Sequence, residues 1–231
     1  MVRVRVTSEQ RGRPAVLAAG VGLCRVDLGE IDYPRAVREM AGWVGERRAG
    51  ATGDRLFLLS HPDVITYGPR TDLADLPEDM AGLPRVAVDR GGFATYHGPG
   101  QLVGYLVLNL RERGPVDIVR WLEHGLVDGL ATLGIEAVRR DTPKGESSLV
   151  GVWTPDGRKV GSIGMRISAG ISSHGFALNV DPDLSVFHRF TVCGLQGVTM
   201  TSVRELAEER GLPVPTDAQV RDAVAGALGA H

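Results

Sequence analysis

The sequence predicts an α/β (α+β) protein, with a mixed, largely antiparallel sheet flanked by helices. Three observations carry that expectation. Strand-like segments come in hairpin pairs, the clearest being 151–153 and 159–167 across the Pro155-Asp156-Gly157 turn. Leu102 to Leu110 is an apolar run broken only by Gly104 and Asn109, as a buried strand requires. Leu122, Leu126, Leu130 and Leu133 recur at helical spacing. Strands and helices do not alternate strictly, which argues against a dinucleotide-binding βαβ repeat.

In chain order, Gly22 to Leu28 reads as a strand. Pro34 opens a helix, with Val37, Met40, Ala41 and Val44 on one face and Gly50 as an end signal. Arg55 to Leu59 is a strand, followed by a turn at His61-Pro62-Asp63 and a polar loop over roughly 68 to 84. Arg85 to Val88 is a short strand, and a Gly-rich loop with a further strand fills 90 to 110. A helix spans about 115 to 133, an irregular polar patch 139 to 148, and Ser172 to Val180 is another strand. Two helices close the chain, since Ser202 with Glu205 and Thr216 with Gln219 have capping-box spacing.

A chain of 231 residues allows one large domain or two small ones at ~100–200 residues each. No linker divides it, so residues 22–231 are expected as one domain and 1–21 as a loose extension. Hydrophobic residues make up 43% and charged residues 23%, values that set aside global disorder. The net charge of −2 leaves no electrostatic footprint for nucleic acid. No apolar run reaches the ~18 residues of a membrane span. Arginines at 3, 5, 11 and 13 before an apolar stretch imitate a signal peptide. Glycines interrupt that stretch, and Leu23 is not the small residue that a lipoprotein cleavage site needs before Cys24. The expectation is a cytoplasmic protein. Two cysteines in a chain this size make no disulfide framework. Cys24, in a strand, reads as a small buried hydrophobe.

Four segments could carry chemistry. Arg90-Gly91-Gly92-Phe93-Ala94-Thr95-Tyr96-His97-Gly98-Pro99-Gly100-Gln101 places four glycines between apolar strands, where backbone can approach a ligand. It is no phosphate loop, because neither Lys-Ser/Thr nor a helix follows. By spacing alone it could also be a Gly-rich hairpin with a structural histidine. Arg158-Lys159-Val160-Gly161-Ser162-Ile163-Gly164 holds one of only two lysines, Lys144 being the other, beside 24 arginines among 26 basic residues. Such a lysine can mark a group that must lose its proton, which arginine cannot do. Taken alone, Lys159 reads as a solvated lysine at a strand end. His174-Gly175-Phe176-Ala177-Leu178-Asn179 contains a histidine that reads as a core or edge residue. Cys193, in Thr191-Val192-Cys193-Gly194-Leu195, is either a spare loop cysteine or a thiol whose thiolate a nearby cation stabilises. His97, His174 and Cys193 match no zinc-site spacing, and no metal is expected.

In order, these four segments resemble the lipoyl(octanoyl) transferases, the LipB family. Pro62-Asp63-Val64-Ile65-Thr66-Tyr67-Gly68 matches the family's upstream segment as well, and the likeness runs over about residues 22 to 210. The resemblance implies a fold similar to the biotin/lipoate ligase catalytic domain. It implies octanoyl (or lipoyl) transfer from octanoyl-acyl carrier protein to a lysine of lipoyl domains. The acceptors would be the lipoyl domains of 2-oxoacid dehydrogenases and the glycine cleavage H protein. Cys193 would be the acyl-thioester nucleophile, Lys159 its acid/base partner, and no cofactor would be needed. Arg90, Gly91, Gly92, Phe93, Ala94, Thr95, Tyr96, His97, Ser162, Ile163, Gly164, Gly175, Phe176 and Ala177 would line the acyl pocket. The family has other residue types at Phe93, Ala94 and Val192, and a shorter connection at 142–149. Two rivals remain: an ATP-dependent lipoate/biotin-type ligase, and a non-catalytic acyl-carrier binding module.

Overall fold

The computed structural model describes residues 22–72, 76, 82–110, 113–190 and 197–231. The expected N-terminal extension, 1–21, and the Thr191–Leu195 segment with Cys193 lie outside the described residues.

The largest element is a six-stranded sheet. Its strands are β1 (Cys24–Glu30), β2 (Arg55–Ser60), β6 (Gln101–Val107), β9 (Ile171–Asn179), β8 (Lys159–Ser168) and β7 (Gly151–Trp153), in that spatial order. Only β1 and β2 run parallel, and the other neighbours are antiparallel. The parallel pair is joined through helix α1 (Tyr33–Arg48), as a crossover requires. A small second sheet holds β4 (Arg85–Ala87), β3 (Val64–Tyr67) and β5 (Thr95–His97). Strand β3 was not expected from the sequence, nor was the 3-10 turn Leu184–Arg189.

Strand alternation assigns the faces of the large sheet. Leu56, Leu58, Leu102, Leu106, Phe176 and Leu178 point to one face, under α2 (Pro115–Thr132), α3 (Val203–Glu209) and α4 (Asp217–Ala227). There Leu122, Leu126 and Leu130 are fully buried, as their spacing predicts. Phe57, Leu59, Val103, Tyr105, Val107 and Ala177 point to the other face, under α1. With both faces covered, every residue of β6 is buried.

Three expectations need correction. Helix α1 buries Tyr33, Ala36 and Met40, whereas Val37 is exposed at 38%. The period is helical as read, but the buried stripe runs through Tyr33, Ala36 and Met40, which leaves Val37 and Ala41 on the solvent side. Cys24 is exposed rather than buried; β1 is an edge strand, paired with β2 on one side and met on the other only at its start, by His231. At α3 only half the capping box forms. Ser202 accepts from Glu205 N at 3.1 Å, but the Glu205 carboxylate takes the Thr201 hydroxyl instead. At α4 both halves form, through Thr216 and Gln219.

Candidate active site

Strand β7 covers β8 only as far as Ser162, where Gly151 pairs with it. Beyond that point the Gly-rich loop takes over the β8 edge: Gly91 N donates to Met165 O at 2.9 Å. The two backbones meet so closely that a Cβ on Gly164 would lie 2.8 Å from Gly91 O. This approach is the physical reason for glycine at both positions.

Arg90 holds the loop in place. It is 7% exposed, and its guanidinium donates to Gly91 O and Phe93 O at 3.0 and 3.1 Å. Its other amine donates to Thr66 O and Thr66 Oγ1 at 3.2 and 2.7 Å, tying the loop to β3. The planar fork of donors that the sequence offered is thus directed at the protein's own carbonyls.

Between loop and sheet lies a cavity of about 240 Å³. Arg90, Gly91, Gly92, Phe93, Thr95 and His97 line it from the loop and β5. Lys159, Ser162, Ile163 and Gly164 line it from β8, and Gly175, Phe176 and Ala177 from β9. Three segments far apart in sequence therefore meet around one cavity. Ala94 and Tyr96 do not line the cavity. They alternate to the opposite side, into the cluster with Ile65, Phe187 and Phe190, where Tyr96 donates to Asp63 Oδ1 at 2.6 Å.

Lys159 departs from its expectation as a solvated strand-end residue: it is 1% exposed. Its Nζ donates to Val150 O at 3.3 Å and sits 5.0 Å from the centre of the Trp153 ring, a cation–π arrangement. The main chain of Lys159 pairs with the segment that follows Cys193. Lys159 N donates to Thr199 O, and Thr201 N to Lys159 O, both at 2.9 Å.

Sequence reasoning missed the cavity's polar side. Tyr33, Tyr105 and His174 line it too, and His61 supports them from behind. His61 Nδ1 lies 2.6 Å from Ile31 O, so that nitrogen carries the proton. Nε2 then accepts from the Tyr105 hydroxyl at 2.7 Å. The Tyr33 ring stacks on His97, with centroids 5.7 Å apart. A tyrosine inside the apolar β6 was the available signal, since a buried phenol needs a partner.

Burial favours the neutral form of His97 and His174 in the cavity and of His61 behind it. It pushes His97 well below its usual range, helped by repulsion from His61 and His174 when these are protonated and from the Arg90 guanidinium. It lowers His61, and it lowers His174 to about 4, with Arg90 and Arg166 adding to the effect. The unfolded chain takes up these protons near pH 6.5, whereas the folded chain resists until lower pH. Stability is therefore full above about pH 6.5 and is lost as the pH falls towards 4. His174, lowered to about 4, alone costs about 1.4 kcal/mol between pH 6.5 and 5.5, and His61 and His97 act in the same direction. Urea unfolding at pH 7.5 and 5.5 measures this. Equal midpoints would mean that the histidines are solvated or already charged.

No helix among the described residues is long and apolar enough to cross a membrane. The family model described as "Lipoyl protein ligase A/B catalytic domain" matches residues 35–229. An octanoyltransferase of Frankia casuarinae is 46% identical over 190 residues, covering 81% of this chain and 86% of that protein. One of Mycobacterium bovis is 42% identical over 206 residues, 87% and 83% of the two chains. Among solved structures, lipoate-protein ligase A bound with ATP has a TM-score of 0.67 at 17% identity, covering 89% of this chain and 83% of that one. The bipartite lipoate protein ligase of Thermoplasma acidophilum has a TM-score of 0.63 at 16% identity, covering 90% and 82%. These two likenesses establish the fold, which agrees with the mixed, largely antiparallel architecture expected. The chain belongs to the lipoyl protein ligase A/B catalytic family, among its octanoyltransferases.

Proposed function

We propose that this octanoyltransferase carries the octanoyl group on Cys193 as a thioester and moves protons through Lys159. The observation that carries the reading is the buried Lys159 amine on the wall of the cavity. Its main chain is hydrogen-bonded to Thr199 and Thr201, six and eight residues beyond Cys193.

The donor is octanoyl-acyl carrier protein, whose thioester is already activated, so no ATP is spent. Lys159 as the free amine takes the Cys193 proton, and the thiolate attacks the octanoyl carbonyl carbon. The new C–Sγ bond forms and the bond to the pantetheine sulfur breaks. The Lys159 ammonium returns its proton to that departing sulfur. In the second half, the amine of a lipoyl-domain lysine attacks the acyl-enzyme and gives Lys159 its proton. A C–N bond forms, the C–Sγ bond breaks, and the proton passes back to Cys193. The apolar walls, Ile163, Phe176 and Ala177 among them, hold the acyl chain, and the glycines let it lie against backbone. The acceptors are lipoyl domains of 2-oxoacid dehydrogenases and the glycine cleavage H protein, reached in the cytoplasm.

Mixing the protein with octanoyl-acyl carrier protein without ATP tests this by intact mass. The wild type gains one octanoyl group and Cys193→Ala gains none. An unmodified wild type beside a demonstrably active donor removes the thioester route and favours an ATP-dependent ligase or a binding module.

A further inference from the structure

Glu123 breaks the pattern of its helix. It lies on α2 beside Leu122 and Leu126, and it is 2% exposed. A carboxylate there costs stability unless its oxygens are satisfied. One oxygen accepts the Gly151 N–H at 3.0 Å, and the other faces Arg139 Nε at 3.5 Å. Gly151 adjoins Val150, whose carbonyl accepts Lys159 Nζ. On the far side, Trp153 Nε1 donates to Leu149 O at 2.8 Å. The Val150 carbonyl is thus fixed by one side-chain bond on each flank, and the Trp153 ring that supplies one of them also lies under the ammonium. Gly151 itself leaves room for the lysine. A Cβ there would lie 2.8 Å from Lys159 Cε and 2.6 Å from Gly161 O, and its φ of 144° suits glycine alone.

We propose that Glu123 is a positioning residue for Lys159, acting through the Gly151 N–H and the Val150 carbonyl. It touches neither substrate nor thiol. Its effect is to hold the acceptor that aims the amine into the cavity. The inference rests on the reading of Lys159 as the partner of Cys193.

The direction of a shift separates positioning from simple charge. Deleting a nearby negative charge favours a thiolate and lowers a cysteine's pKa. Letting Lys159 drift withdraws the cation and raises it. The experiment measures the rate of iodoacetamide alkylation against pH, read at the Cys193 peptide so that the exposed Cys24 does not interfere. Wild type reaches half-maximal rate below the free-thiol value of about 8.5. Glu123→Ala moves that midpoint up by about one pH unit. Glu123→Gln, which keeps an oxygen for the Gly151 N–H, restores most of the wild-type profile. Glu123→Asp, one methylene short, shifts upward as the alanine does and serves if the alanine variant fails to fold. Lys159→Ala moves the midpoint up as well. An unmoved or lowered midpoint in Glu123→Ala and Glu123→Asp, with Lys159→Ala still raised, overturns the role of Glu123 alone. An unmoved midpoint in Lys159→Ala overturns the pairing of Lys159 with Cys193, and the proposal for Glu123 with it.

Discussion

Lys159→Arg loses octanoyl transfer by about 10²- to 10⁴-fold at neutral pH while the protein stays folded, the range spanned by loss of general acid–base catalysis. The substitution keeps a positive charge, so an electrostatic role alone would survive it. A proton relay would not, because a guanidinium does not give up its proton near neutrality. The measurement is steady-state transfer to a lipoyl domain, with circular dichroism to verify the fold. His97→Ala is the contrast. His97 is neutral and stacked on Tyr33, so its removal loosens the cavity and lowers transfer less. Arginine at 159 turning over within about tenfold of wild type would reject the relay. Equal losses in the two variants would reject the division of labour.

What the sequence made legible was local. The hairpin across Pro155-Asp156-Gly157, the leucine stripe of α2 and the apolar β6 each follow from spacing within a dozen residues. The glycine motif announced a close backbone approach, but the partner at that approach, Gly164, is more than seventy positions away. The orientation of the motif's side chains was not legible. Thr95 and His97 face the cavity and Ala94 and Tyr96 the cluster with Ile65, Phe187 and Phe190, because β5 pairs with β3, a strand the sequence did not announce. Lys159 shows the same limit from the other side. A lysine after a turn is solvated by default, and only the assembly of Trp153, Val150 and Gly151 around it makes burial tolerable. Glu123 looked like any helix glutamate, and Tyr33, His61 and Tyr105 join across elements that no local pattern connects.

Glycines in this chain serve opposite ends, and one substitution made at two of them should change stability with opposite signs. Gly175 lies in β9 against Tyr105 of β6, in the middle of the sheet. A Cβ at Gly175 would stand 2.2 Å from Gly104 O and 2.7 Å from Leu106 Cδ1. The carbonyl belongs to a central strand covered on both faces, so neither strand can step aside without disturbing the core. Gly175→Ala therefore costs about 3 kcal/mol, the upper end for an overpacked site. That corresponds to a fall in Tm of roughly 6–12 °C for a chain of this size. Because Gly175 also lines the cavity, the same shift moves the wall against which the acyl chain lies. Gly42 sits on the exposed side of α1 with nothing within 4 Å of a new Cβ. Gly42→Ala removes only the backbone freedom of the unfolded chain and stabilises by about 0.5–1 kcal/mol. Thermal unfolding of both variants decides the matter. Gly175→Ala melting at or above wild type would mean that β6 and β9 are not held at this separation. Opposite signs would tie the glycine beside His174 to strand spacing, and through it to the shape of the cavity.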